Sequence, residues 1–322
     1  MTRVIVTGGA GRLGRSLVSG LAAAGHEVVS LDRVVSDAAE LRGIPQTAVD
    51  LTDPAATREA VADARADALI HLAAIAVPFS APEDVILRTN AALALNTLSA
   101  GVAAGVGRIV TASSPTVIGY GAPAGWSIDR LPIDEETPAA PWNAYSLSKL
   151  LAEQTMLMLR RQTGDGTRFA AFRPCYVIAP EEWAGAPTQQ GHTVVERLDD
   201  PALCAPALFN YVDARDVATF ADRLLAAMSD IPNGEVFFVG ADDALARRPL
   251  AELLPEYVPG AADAASVLTG TAPAFSNAKA KRLLGWAPRF DWRSELGTPA
   301  DLMPRPAGAS EPASSSERLE VS

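Results

Sequence analysis

With 322 residues, 48% of them hydrophobic and 20% charged, the chain can bury a large core, and wholesale disorder is excluded. Lys and Arg number 27 against 38 Asp and Glu, a formal net charge of −11 that argues against a protein built to grip nucleic acid. No apolar run approaches the roughly 20 residues that cross a bilayer. Met1-Thr2-Arg3 leads directly into Val4-Ile5-Val6, so neither a secretory leader nor a membrane anchor is expected, and the cytoplasm is the expected compartment.

In chain order, short apolar runs alternate with amphipathic ones. Strands are predicted at Arg3–Val6, Glu27–Leu31, Thr47–Val49, Ala68–Leu72, Arg108–Ser113 and Phe169–Arg173. Helices are predicted between them, at Gly14–Ala24, Pro54–Ala62, Pro82–Ala104 and Ala144–Gln162. This rhythm predicts an α/β fold with right-handed crossovers and a doubly wound parallel sheet of Rossmann type. The stretch from Gly119 to Asn143, rich in proline and carrying Trp126 and Trp142, is predicted to be a functional or mobile loop.

Beyond Pro174 the rhythm changes. The remaining elements, Asp216–Ala227, Glu235–Val239, Leu250–Leu254 and Asn277–Leu284, predict a smaller, discontinuous region beside the sheet. The expected division is a dinucleotide-binding domain over 1–173, a substrate region over 174–303 with segments returning to the core, and a disordered tail over 304–322. Cys175 and Cys204 are expected to be buried free thiols, and the scattered His26, His71 and His192 offer no metal-ligand spacing, so no metal is expected.

The first strand ends in Thr7-Gly8-Gly9-Ala10-Gly11-Arg12-Leu13-Gly14, followed by an apolar helix. Glycines here allow a tight turn and close approach of a pyrophosphate, whose charge the N–H groups and helix N-terminus stabilise. The contacts are expected from Gly8, Gly11, Arg12, Leu13 and Gly14. The second strand runs into Asp32, whose carboxylate suits the two ribose hydroxyls of NAD and repels the 2′-phosphate of NADP. Arg33 and Arg12 pull the other way, so NAD is favoured over NADP without NADP being excluded. Asp50-Leu51 is placed to meet the adenine ring, and Leu72-Ala73-Ala74 provides small residues for close packing against a dinucleotide.

Tyr145-Ser146-Leu147-Ser148-Lys149 sets a phenol and an ammonium four residues apart, on one face of a helix. A phenol titrating near 10 needs about 4 kcal/mol of preferential phenolate stabilisation to work as a base near pH 7. Lys149 and an oxidised nicotinamide are the expected sources. Ser114 stands at the C-terminal edge of the fifth strand, where ligands of open α/β sheets bind, and is expected to hold the reacting oxygen. Asn90, in the helix after the fourth strand, is a candidate to steady the active-site backbone or a water.

With these residues in place the chain resembles the extended short-chain dehydrogenase/reductase family, the NAD-dependent epimerases and dehydratases, over about residues 3 to 295. Besides the segments above, the resemblance rests on Arg173-Pro174, on Tyr211-Val212-Asp213-Ala214-Arg215-Asp216-Val217-Ala218 and on Lys279-Ala280-Lys281-Arg282-Leu283-Leu284-Gly285-Trp286. It implies that Ser114, Tyr145 and Lys149 are the catalytic set. It also implies that NAD is the cofactor, with Asn90, Tyr145, Lys149, Pro174, Tyr176 and Val177 among its contacts. A homodimer formed by the two long helices is implied as well.

Departures from the family pattern bear on the substrate. Pro115 and Thr116 stand where dehydratases carry an acidic residue. Tyr176 stands where nucleotide-sugar enzymes usually place Asn, and Ala205-Pro206-Ala207-Leu208-Phe209-Asn210 is uncharged where they carry an Arg. Arg197 and Arg215 are the cations left to substitute. The run Ser113-Ser114-Pro115-Thr116-Val117-Ile118-Gly119-Tyr120 is similar to that of uronate and sugar-acid dehydrogenases of the family. The resemblance therefore implies oxidation of a small polyhydroxylated substrate. Thr116, Asn143, Tyr176, Gln189 and His192 are candidate contacts, and Trp126, Trp142 and Trp183 are expected near the pocket. A nucleotide-sugar epimerase and a non-catalytic NAD(P)-binding regulator are the competing readings.

Overall fold

The structure is a computed structural model in which residues 1 to 297 are described. The expected tail, 304–322, lies outside the described residues. Strands β1 (Arg3–Thr7), β2 (Glu27–Asp32), β3 (Gln46–Ala48), β4 (Ala68–His71), β5 (Arg108–Ala112) and β6 (Arg168–Pro174) alternate with helices α1 (Arg12–Ala23), α2 (Pro54–Ala64), α3 (Glu83–Ala103) and α4 (Ala144–Thr163). All four predicted helices and six predicted strands are present, with ends shifted by one or two residues. Each boundary follows its local chemistry. Asp53 caps α2 by accepting from the Ala55 and Ala56 N–H groups, with Pro54 as the first helical residue, and Asn143 caps α4 by accepting from Ser146.

Beyond β6 come β7 (Val177–Ile178), α5 (Pro180–Trp183), α6 (Val194–Asp199), β8 (Val212–Asp213), α7 (Ala214–Ala227), β9 (Glu235–Val239), α8 (Leu250–Tyr257), α9 (Ala262–Ala265), α10 (Ala278–Leu284) and α11 (Trp292–Leu296). The main sheet is parallel throughout, in the order β3-β2-β1-β4-β5-β6-β9. Glu235–Val239 is thus the seventh strand of the main sheet, paired with β6, and not an element beside it.

Both faces of the sheet are buried, which is why its strands read as nearly continuous apolar runs. Alternation divides the core in two. Val4, Val6, Ile70, Val110 and Phe172 point into one cluster with Leu17 and Leu21 of α1 and Val217, Phe220 and Leu224 of α7. Ile5, Leu69, Ile109 and Ala171 point into the other, with Val61 of α2, Leu98 of α3 and Met156 and Leu159 of α4. Strand order reverses between β1 and β4, so the crevice outside the carboxyl ends of these strands is where an open sheet of this type receives a ligand.

The C-terminal segments are fastened by buried ion pairs and hydrogen bonds. Asp213 is fully buried, accepts from Trp183 at 2.7 Å and pairs with Arg215, which also pairs with Glu295. Asp216 accepts from the Arg289 and Phe290 N–H groups at 3.0 Å, and burial raises its carboxyl to about 6. On the core side, Arg173 of β6 makes a bidentate pair with Glu153 of α4 at 2.8 and 2.9 Å, locking α4 to the sheet. Cys175 and Cys204 are free and buried, as the sequence predicted.

Candidate active site

A cavity of about 1170 Å³ lies at the carboxyl end of the sheet, walled on one side by the loops after β1, β2, β4 and β5 and on the other by segments beyond β6. The glycine turn forms its floor. Gly8 has φ +73, and a Cβ there would stand 2.8 Å from the Ala73 nitrogen; a Cβ on Gly14 would stand 2.1 Å from the Gly8 carbonyl. Only glycine fits either place, so the turn, Ala73 and the start of α1 are close enough to cradle a pyrophosphate. A dinucleotide fits this floor on those grounds.

Asp32 ends β2 on the same wall. Its carboxylate accepts from the Ala10 N–H at 3.1 Å and from the Arg33 N–H at 2.6 Å, so it is pinned beside the turn. Asp50 also lines the cavity, next to Leu51; its hydrogen bonds from the Thr52 hydroxyl and N–H hold its carboxyl below the usual range. Arg12 departs from the role of a 2′-phosphate ligand. It ion-pairs with buried Glu182 and donates to Gln189 at 3.1 Å, tying the turn to the opposite wall. Arg33 remains exposed at the rim.

Behind the turn, His71 is buried and hydrogen-bonds Thr7 Oγ1 through Nδ1 at 2.8 Å. Desolvation, with the nearby Lys149 charge, lowers its pKa to about 3, so it is neutral at ordinary pH. Leu72, Ala73 and Ala74 follow on the cavity wall.

Ser114, Tyr145 and Lys149 are buried together where β5 and α4 meet the cavity. Lys149 Nζ donates to the Ala112 carbonyl at 3.2 Å and stands 5.8 Å from the centre of the Tyr145 ring. Burial pushes the Tyr145 phenol up to about 12, while a hydrogen bond with Ser114 lowers it. Burial also brings the Lys149 ammonium down to about 8. The sequence predicts a lowered phenol, but desolvation dominates, so the protein alone holds Tyr145 protonated. Thr116 Oγ1 donates to Ser114 Oγ at 2.9 Å, which leaves the Ser114 hydroxyl hydrogen available to another acceptor.

Asn90 does not line the cavity. Its side chain brackets Ile75, accepting from the N–H at 2.7 Å and donating to the carbonyl at 3.1 Å, and donates to Ser148 Oγ at 3.0 Å. Ser148 in turn donates to the Tyr145 carbonyl at 2.7 Å. Asn90 therefore steadies the loop after β4 and the first turn of α4, the backbone role the sequence suggested. Glu83 of α3 adds a second anchor by accepting from the Ala144 N–H at 2.6 Å.

Of the five polar candidates for substrate, Thr116, Asn143, Tyr176 and Gln189 line the cavity. His192 does not. It is exposed, and its carbonyl serves the turn by accepting from the Thr188 N–H and hydroxyl. Pro174, Tyr176 and Val177 line the wall where β6 ends. Among the tryptophans only Trp142 lines the cavity, packed 5.7 Å from Phe79 at its rim. Trp126 packs on Tyr120, and Trp183 is buried against Tyr211. The wall also holds residues with no role foreseen from sequence: Phe79, Tyr120 and Asn210.

A glycine turn on a parallel sheet, facing a buried Ser, Tyr and Lys across one cavity, defines the class as a Rossmann-type α/β fold with a Ser, Tyr and Lys set at its ligand crevice. The model of the NAD dependent epimerase/dehydratase family matches residues 4–240, and the chain belongs to that family. It is 34% identical over 158 residues to a UDP-glucose 4-epimerase of Azospirillum brasilense, covering 48% of this chain and 43% of that one. It is 36% identical over 165 residues to a 2'-dehydrokanamycin reductase of Streptomyces kanamyceticus, covering 51% and 40%. The match spans less than half the length of either relative. A solved UDP-glucose-4-epimerase of Stenotrophomonas maltophila, with bound NAD and formylated UDP-arabinopyranose, shares the fold at a TM-score of 0.69 and 21% identity, over 92% of this chain and 96% of that one. Among the described residues, no helix is long and apolar enough to cross a membrane.

Proposed function

We propose that the protein is an NAD-dependent dehydrogenase of a small polyhydroxylated substrate, a free sugar, sugar acid or sugar-like alcohol, of the uronate dehydrogenase kind. The observation that carries the reading is the buried Ser114, Tyr145 and Lys149 set opening on the same cavity as the glycine turn. Oxidised NAD, when bound, would supply a hydride acceptor there, and its positive charge would lower the Tyr145 phenol. Gly8, Gly11, Leu13 and Gly14 would hold its pyrophosphate, Asp32 its ribose, and Pro174, Tyr176 and Val177 its nicotinamide end. Ser114 holds the reacting hydroxyl oxygen, Tyr145 takes the hydroxyl proton, and the Lys149 ammonium favours the resulting phenolate electrostatically.

The far wall supports a small substrate. Arg215, one of two cations available to clamp a nucleotide diphosphate, is held by Asp213 and Glu295. The expected test is NADH formation across a panel of free sugars, sugar acids and UDP- and dTDP-sugars. Net NADH with a free sugar or sugar acid supports the reading; reaction with nucleotide sugars alone overturns it. A nucleotide-sugar epimerase is the second reading, favoured by the similarity to UDP-glucose 4-epimerases, and would give product without net NADH. We further infer a cytoplasmic homodimer through α3 and α4, whose Leu95, Leu147, Leu151 and Met158 are exposed.

A further inference from the structure

Arg197 is among the largest fully buried side chains of the protein, only 2% exposed, yet it lines the cavity. A guanidinium removed from water is costly unless an anion and a full set of acceptors replace the water. Here neither is present. Nη1 donates to Gln190 Oε1 at 2.6 Å, and Nε has no partner. Among the described residues Arg197 enters no ion pair. The acids of its own helix and the next residue are engaged elsewhere. Glu196 closes the capping box with Thr193, Asp199 pairs with Arg247, and Asp200 accepts from the Ala202 N–H.

Its surroundings are shaped for a planar group. The guanidinium stacks on the Tyr176 ring, 4.3 Å from the centroid, and the Tyr176 hydroxyl is likewise buried without a partner. Tyr176 itself is fixed by its N–H donating to Asn210 Oδ1 at 2.8 Å. Both residues line the cavity, so its far wall carries two donors without partners, one of them charged.

We propose that Arg197, with the Tyr176 hydroxyl, anchors a carboxylate of the substrate, so that the small polyol of the preceding reading is a monocarboxylate such as a sugar acid. Charge decides for carboxylate over diphosphate. One guanidinium balances one negative charge. Of the other arginines, Arg12 is held by Glu182 and Arg215 by Asp213 and Glu295, Arg33 stands beside Asp32 at the ribose end of the cavity, and Lys149 belongs to the reacting end. A forked guanidinium also matches a planar carboxylate by two parallel hydrogen bonds.

This inference rests on the dehydrogenase reading for its substrate, but binding tests it separately. The NAD-loaded wild type, Arg197→Met and Tyr176→Phe are titrated with D-glucuronate, D-galacturonate, D-gluconate and D-galactonate, with glucose and galactose, and with glucose 6-phosphate, following the melting temperature. The melting temperature of each variant without added ligand is the check that it is folded, and NAD affinity is measured in parallel. At least one carboxylate is expected to bind the wild type, to bind Arg197→Met about 100-fold more weakly and Tyr176→Phe several-fold more weakly, with the NAD affinity of Arg197→Met unchanged. The proposal is overturned if no carboxylate binds, if neutral sugars or the phosphate bind as well as the acids, or if Arg197→Met weakens NAD by the same factor. Binding of carboxylates without NADH formation would sink the dehydrogenase reading and leave the anchor standing.

Discussion

The two walls of the cavity are built by different physics. The wall from residues 1 to 173 consists of strand ends and helix starts, and its side chains are placed by backbone geometry: Gly8 and Gly14 by contact distance, Ser114 by the end of β5, Tyr145 and Lys149 by one turn of α4. The wall beyond Pro174 has few long elements, and its side chains are placed by buried charge, through Arg12 with Glu182, Asp213 with Arg215, and Asp243 with Arg293. The second wall depends on polar partners, and under the reading proposed above the first wall would carry the chemistry and the second would hold the carboxylate end of the substrate.

Perturbing the first wall tests that division most strongly. Tyr145→Phe removes the proton acceptor and is expected to lower kcat about 1000-fold with NAD affinity kept; turnover within threefold of wild type would show that another group moves the proton. Gly14→Ala drives a methyl into the Gly8 carbonyl. The turn must shift by about 1 Å, which costs on the order of 100-fold, read as a weakened NAD dissociation constant, and normal NAD binding would mean that the turn does not hold the cofactor. Asp32→Asn removes the charge beside the Ala10 N–H and leaves Arg33 at the rim. NAD is expected to weaken about 10-fold relative to NADP, and an unchanged ratio would place the ribose elsewhere.

The smallest effect is on stability and depends on pH. Burial lowers Lys149 from 10.5 to about 8, so the folded chain carries the cost of a desolvated ammonium in full below pH 8, and that cost fades as pH rises toward 10.5. Lys149→Met is therefore expected to melt a few degrees above wild type below pH 8, with the gap closing between pH 8 and 10.5. A gap that widens over that window would mean the ammonium is stabilised where it lies.

Legibility in the sequence followed the same division. Val4-Ile5-Val6 and Ile109-Val110 are apolar throughout because both sheet faces are covered, and the Tyr145 to Lys149 spacing needs only one helical turn, so the first wall was readable from local pattern. The β7 and β8 strands are two residues each, too short for a period to register. Arg197 sits on a six-residue helix opened by a Thr193 and Glu196 capping box, a pattern that predicts a solvated turn; it stacks instead on Tyr176, which no local signal links to it. The raised Tyr145 phenol was missed for a related reason. Its spacing from Lys149 is visible in sequence, but the desolvation that raises the phenol is set by the whole cavity. Glu235–Val239 reads as a strand from its Val-Phe-Phe-Val run, and only its pairing with β6 reveals which sheet receives it.

The most direct test of the division is steady-state kinetics of Tyr145→Phe and Arg197→Met, side by side, on a sugar acid that the wild type oxidises. Tyr145→Phe is predicted to lower kcat with KM little changed, and Arg197→Met to raise KM with kcat little changed. Loss of kcat in both, or a raised KM in both, would contradict an account in which one wall carries the chemistry and the other holds the substrate.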